Sequence, residues 1–167
     1  MPGNRKTLIR KQQLALQTRL ANDILNEFDP AEPGERDQNV CKKWRDTYKN
    51  AIRRTDMPSY GYNCHGLAFA ARRTQVWNSV DVQHMISEDG YHEVTRVQAL
   101  PGDVAIYSSL ETREIEHSAI VIEPVKDATD LTGPRVISKW GPCEEYIHLY
   151  AECPYTPAEV KFYRMVK

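Results

Sequence analysis

The chain has 167 residues, 41% of them hydrophobic and 27% charged, with a formal net charge of -1. That length fits one domain with a proper core, and the near-neutral balance argues against nucleic acid as a main partner, because phosphate binding shows as a basic excess. No stretch approaches the roughly 18 consecutive apolar residues of a membrane span, so no membrane role is expected.

Residues 7–28, "TLIRKQQLALQTRLANDILNEF", place Leu8, Ile9, Leu16, Leu20, Ile24 and Phe28 near a helical repeat. Polar side chains fill the other positions, which predicts an amphipathic helix ended by Asp29-Pro30. A second helix is predicted over 40–54, with Cys41, Trp44, Tyr48 and Ile52 three or four residues apart. A third is predicted from Leu67 to about Trp77, starting at or just after Cys64. "MISEDGYHEVTRVQAL" reads as an Asp-Gly turn with a short extended piece. "GDVAIYSS", "HSAIVIEP", "RVISKWG", "EYIHLYA" and "VKFYRM" then read as strands, rich in Val and Ile or alternating. Helices followed by a small antiparallel sheet make the fold class α+β. Residues 1–56 read as a helical arm and 57–167 as the main domain, in one compact unit.

The four cysteines are Cys41, Cys64, Cys143 and Cys153, without a CxxC pair or a zinc-finger spacing. The first thirty residues hold no apolar run of signal-peptide length. The expected location is therefore the cytoplasm, or outside the cell by a route without a cleavable signal. A disulfide framework is not expected, and Cys41, Cys143 and Cys153 read as small buried hydrophobes.

Cys64 differs because it follows the turn-prone Gly61-Tyr62-Asn63 and precedes an alanine-rich run. A thiolate at a helix start is stabilised by unpaired N–H groups, so this cysteine is the candidate nucleophile. Gly66 leaves room for a substrate to approach the backbone, and the N–H of Cys64 or His65 can face a developing oxyanion. Tyr60, Tyr62 and Asn63 supply a phenol or an amide for the same purpose. Among the five histidines, His65 lies next to Cys64 but points about 100° away on a helix. His117 opens an apolar strand after a charged loop, where a ring is held rigidly at a cleft, and it is the candidate base.

Together, "YNCHGLAFA", "LPGDVAIYSS" and "EHSAIVIE" resemble the three-part signature of the NlpC/P60 and CHAP branch of papain-like cysteine hydrolases, over about residues 58–140. The resemblance implies a papain-like core with the cysteine helix packed on the sheet, Cys64 as nucleophile and His117 as base. It makes Pro101-Gly102-Asp103 a structural turn and gives Tyr62 an oxyanion role. The third catalytic position falls in "RVISKWG", where Ser138 is the hydrogen-bonding candidate, with His148 in reserve. His65 stands where peptidoglycan-cleaving members carry Ser, which bears on substrate more than on chemistry.

The expected function is cleavage of an amide or peptide bond by a Cys-His mechanism without cofactor or metal, on peptidoglycan peptides if the protein is an exported effector. The alternatives are a deamidase, acyltransferase or protease acting on cytosolic proteins, and an inactive binding module of the same fold. A metal site from Cys64, His65 and His117 does not match ordinary ligand spacing. The expected partners are a peptide or amide substrate and a protein inhibitor or partner at the N-terminal helices.

Overall fold

The computed structural model describes residues 13–127 and 129–166. In chain order these form α1 (Glu35–Thr47), β1 (Ile52–Arg53), α2 (Cys64–Phe69), α3 (Ser79–Glu88) and β2 (Tyr91–Val94). Then follow β3 (Val104–Ser108), β4 (Ile115–Glu123), β5 (Arg135–Lys139), β6 (Glu145–Leu149) and β7 (Glu159–Met165). All seven strands join one antiparallel sheet in the order β1-β6-β5-β4-β3-β7-β2. The fold is α+β, with β1 and β2 adding edges that make the sheet larger than expected.

The core of the sheet is covered on both faces, which is why β3 reads as a run of buried residues rather than an alternation. Paired residues in antiparallel strands share a face, and successive residues alternate. Ala105, Tyr107, Ala119, Val136, Tyr146 and Phe162 pack with Cys41 and Trp44 of α1. Val104 and Ile106 pack on the other face with Val82 and Met85 of α3 and Phe69 of α2.

Of the helix expected over 7–28, residues 7–12 lie outside the described residues, and 13–28 are not helical. Gln17 bridges Asp23, Glu27 bridges Gln75, and Ala21 sits at φ 63°. The Asn26 amide bonds to the backbone of Leu14 and Ile24, offering the chain an alternative to helical pairing. The apolar stripe is split accordingly: Ile24 is buried, whereas Leu20 is 69% exposed.

The second helix starts earlier and stops earlier than expected, because Glu35 and Asp37 favour its N-terminus and Ile52 leaves to pair with Ile147 of β6. The third is only six residues long. Ala71 (φ 49°) and Arg72 (φ 63°) turn the chain into the left-handed region. A further helix not expected from the sequence is α3, which the Asn78 side chain caps at the Val80 N–H and which buries Val82 and Met85. Among the described residues no helix is long and apolar enough to cross a membrane.

The expectation of unpaired cysteines is corrected at Cys41 and Cys143, which form a disulfide between α1 and the β5–β6 loop. Their separation of 102 residues left no local signal of pairing. Cys64 and Cys153 are buried free thiols.

Candidate functional site

The start of α2 is fixed by Asn63. Its Oδ1 accepts from the N–H groups of Gly66 (2.9 Å) and Val76 (3.1 Å), and its Nδ2 donates to the Val76 carbonyl (2.6 Å). This amide is spent on holding the helix to the 74–77 segment, which corrects its expected oxyanion role. Gly66 also serves packing rather than substrate access, since a Cβ there would fall 1.8 Å from the Thr74 carbonyl oxygen.

Cys64 is the first residue of α2 and is buried. Burial pushes its thiol up to about 11, against the backbone N–H groups of Ser118, His65 and Cys64 itself and the charge of Lys139, all of which favour the thiolate. The sulfur adjoins a cleft of about 450 Å³ lined by Cys64 with Asn63, Trp77, Glu116, Gly141 and Tyr155.

His65 lies beneath the helix, with Nδ1 3.0 Å from the Ser118 hydroxyl oxygen. Burial lowers its pKa to about 4, so it is neutral. Ser118 therefore faces α2, in register with Ile106, while the next residue, His117, is in register with Tyr107 on the opposite face. His117 is fully buried, stacked on Tyr155 and edge-on to Tyr107, and neither of its ring nitrogens has a hydrogen-bond partner among the described residues. Burial, with His148 and His65 nearby, holds its pKa well below the ordinary value. The expected Cys64–His117 pairing is not formed.

Ser138 is also corrected. Its hydroxyl lies 2.8 Å from Nε2 of His148 and accepts from the Trp140 indole N–H at 3.1 Å. Nδ1 of His148 lies 2.8 Å from the Leu149 carbonyl oxygen, which makes Nδ1 the protonated nitrogen and leaves Nε2 to accept from Ser138. Both residues complete a buried structural chain on the α1 face and do not orient His117.

Tyr62 donates to Glu145 Oε1 at 2.6 Å, and burial with this bond raises its pKa, so it is a protonated phenol turned to a carboxylate. Glu145 also receives Arg72, Nε at 2.6 Å and Nη2 at 3.1 Å. Burial works against the Glu145 carboxylate, but the bonds from Arg72 and Tyr62 outweigh it and its pKa lies below the usual value. Beside them stands Lys139, fully buried, its ammonium 5.2 Å from the Tyr62 ring centroid. The sequence places Lys139 near the end of the strand read from "RVISKWG", where it either packs or lines a cleft, and assigns Arg72 and Glu145 no role. The available signal was the alternation of β5, which sends Ser138 and Lys139 to opposite faces.

Among the described residues no group of three or more His, Cys, Asp or Glu side chains is arranged to hold a metal ion. No known protein family, curated protein or solved structure matches the chain.

Proposed function

We propose that the protein is a cysteine-dependent amide hydrolase of the papain-like kind, with Cys64 as nucleophile. The observation that carries this reading is a helix-start sulfur beside a cleft, where the backbone amides of Ser118, His65 and Cys64 itself favour the thiolate. Such donors stabilise the thiolate first, and those of the helix start are available for the oxyanion once the sulfur has attacked a carbonyl carbon. The order of the cysteine helix, the Pro101-Gly102-Asp103 turn into β3, and β4 agrees with the resemblance to NlpC/P60 and CHAP domains. The cleft wall formed by Trp77 and Glu116 suits an extended peptide with an apolar and a cationic or amide-bearing group. The Cys41–Cys143 bond favours an oxidising compartment, and with it the exported form of the enzyme over the cytosolic one.

A catalytically inactive binding module is the second reading, favoured by the raised Cys64 thiol and the unbonded His117. Iodoacetamide labelling against pH, with modified residues located by mass spectrometry, separates the two. A hydrolase should label at Cys64 in the folded state well below the pH at which an ordinary thiol reacts, and ahead of Cys153. Labelling of Cys64 only after unfolding would leave the binding module.

A further inference from the structure

Trp77 is left 62% exposed, whereas Trp140 is fully buried and Trp44 packs on the core. The exposed indole does not sit on a loose loop. Val76, the residue before it, is fully buried, and the Asn63 side chain takes both its N–H and its carbonyl. Asn78, the residue after it, caps α3, and the indole N–H donates to Glu27 Oε1 at 3.3 Å. The amide that starts the cysteine helix therefore also fixes the segment that carries the indole.

Trp77 stands on a saddle. With Ile115 it lines both the Cys64 cleft and a neighbouring cleft of about 520 Å³. The charged residues lining the two clefts are Glu116 on the Cys64 side and Arg113 and Glu114 beyond the saddle. Arg113 is paired with Glu159 at 3.2 Å, whereas neither the Glu114 nor the Glu116 carboxylate has a hydrogen-bond or ion-pair partner among the described residues. An apolar saddle between two unpaired carboxylates matches a side chain with an aliphatic stem and a cationic head.

We propose that this saddle is the specificity subsite of the Cys64 cleft and takes the side chain of a lysine or arginine in a peptide substrate. The proposal rests on the hydrolase reading and names the side chain that the cleft selects. The stem lies across Trp77 and Ile115, and the cationic head meets the indole face and the Glu116 carboxylate. An apolar side chain of the same length gains only the stem contact. An acidic one is repelled by Glu114 and Glu116.

The test compares alkylation of Cys64 in the full chain by acetyl-lysyl, acetyl-norleucyl and acetyl-glutamyl chloromethyl ketones. Each reagent loses chloride to the cysteine sulfur, and the three differ only in the side chain offered to the subsite. The lysyl reagent should react roughly fivefold faster than the norleucyl one at low salt, and the glutamyl reagent should be the slowest. Added salt should shrink the lysyl preference. In Trp77→Ala and in Glu116→Gln the lysyl-to-norleucyl ratio should fall towards one, and taking the ratio cancels any change in the sulfur itself. Both side chains are exposed, so neither substitution opens the core. Equal wild-type rates for the lysyl and norleucyl reagents overturn the proposal, as does a lysyl preference that neither substitution diminishes. A wild-type Cys64 that reacts with none of the three, nor with iodoacetamide, until the protein unfolds overturns the hydrolase reading and the subsite with it, so the two failures are distinct.

Discussion

The Tyr155 ring lies flat on the His117 imidazole, with centroids 3.9 Å apart and planes within 6° of parallel. Tyr107 meets the same imidazole edge-on at 5.1 Å. The aromatic packing of His117 is therefore well served, while both nitrogens on its edge are buried and have no hydrogen-bond partner among the described residues. Tyr155 also lines the Cys64 cleft, so it stands at the junction between the imidazole and the cysteine site.

A buried polar group without a partner costs about 1–3 kcal/mol. His117→Phe keeps a ring under Tyr155 and removes both orphaned nitrogens. It is expected to raise the unfolding free energy by about 1 kcal/mol after the strain of the larger ring, and to leave the pH profile of Cys64 labelling unchanged. Urea denaturation and the labelling rate check the two halves. A labelling profile moved to higher pH would mean that the imidazole reaches the thiol after all.

Acid should destabilise this protein earlier than carboxylate protonation alone would require. Burial lowers the folded pKa values of His65 and His148 to about 4, and that of His117 well below 6.5. Between about pH 6.5 and 4 the unfolded chain therefore binds more protons than the folded one, so stability rises with pH across this window and is lost as pH falls through it. Each histidine contributes about 1.4 kcal/mol per pH unit at the steepest, or about 4 kcal/mol per pH unit for all three. Urea midpoints measured from pH 7.5 to 4.5 should fall steeply below about 6.5. A flat response down to pH 5 would show that these rings are solvated.

The five long strands are legible in the sequence because Val, Ile and Tyr recur between turn residues, and each such run found a neighbour with the matching face. The N-terminal stripe was misleading for a physical reason: Leu16, Leu20 and Ile24 fit a helix as well as they fit a folded-back segment, and the Asn26 side chain decided between the two. Cys64 was recognisable from its turn-then-helix context. The orientation of His117 was not, because a strand residue points to one face or the other according to register, and Ser118 took the face beneath α2. Lys139 and Ser138 were separated by the same alternation. The Cys41–Cys143 bond had no local pattern, since it joins segments that meet only when α1 docks on the sheet.

That bond ties α1 to the loop whose Gly141 and Cys143 carbonyls hold Lys139, and Glu144 next to it receives Arg45 of α1 at 2.5 Å. Closing a loop of about 100 residues limits the unfolded ensemble, and removing a native disulfide generally costs about 2–5 kcal/mol. Reduction, or the Cys41→Ser/Cys143→Ser pair of substitutions, is expected to lower the unfolding free energy by about that amount. The loss should be smaller than the chain-entropy value if the Arg45–Glu144 pair still holds α1 in place. Urea denaturation with and without reductant measures the cost. Thiol titration of the unreduced, unfolded protein should find two thiols, Cys64 and Cys153. Four thiols in protein kept from reductant would remove the argument for an oxidising compartment and return the cytosolic form of the enzyme to equal standing.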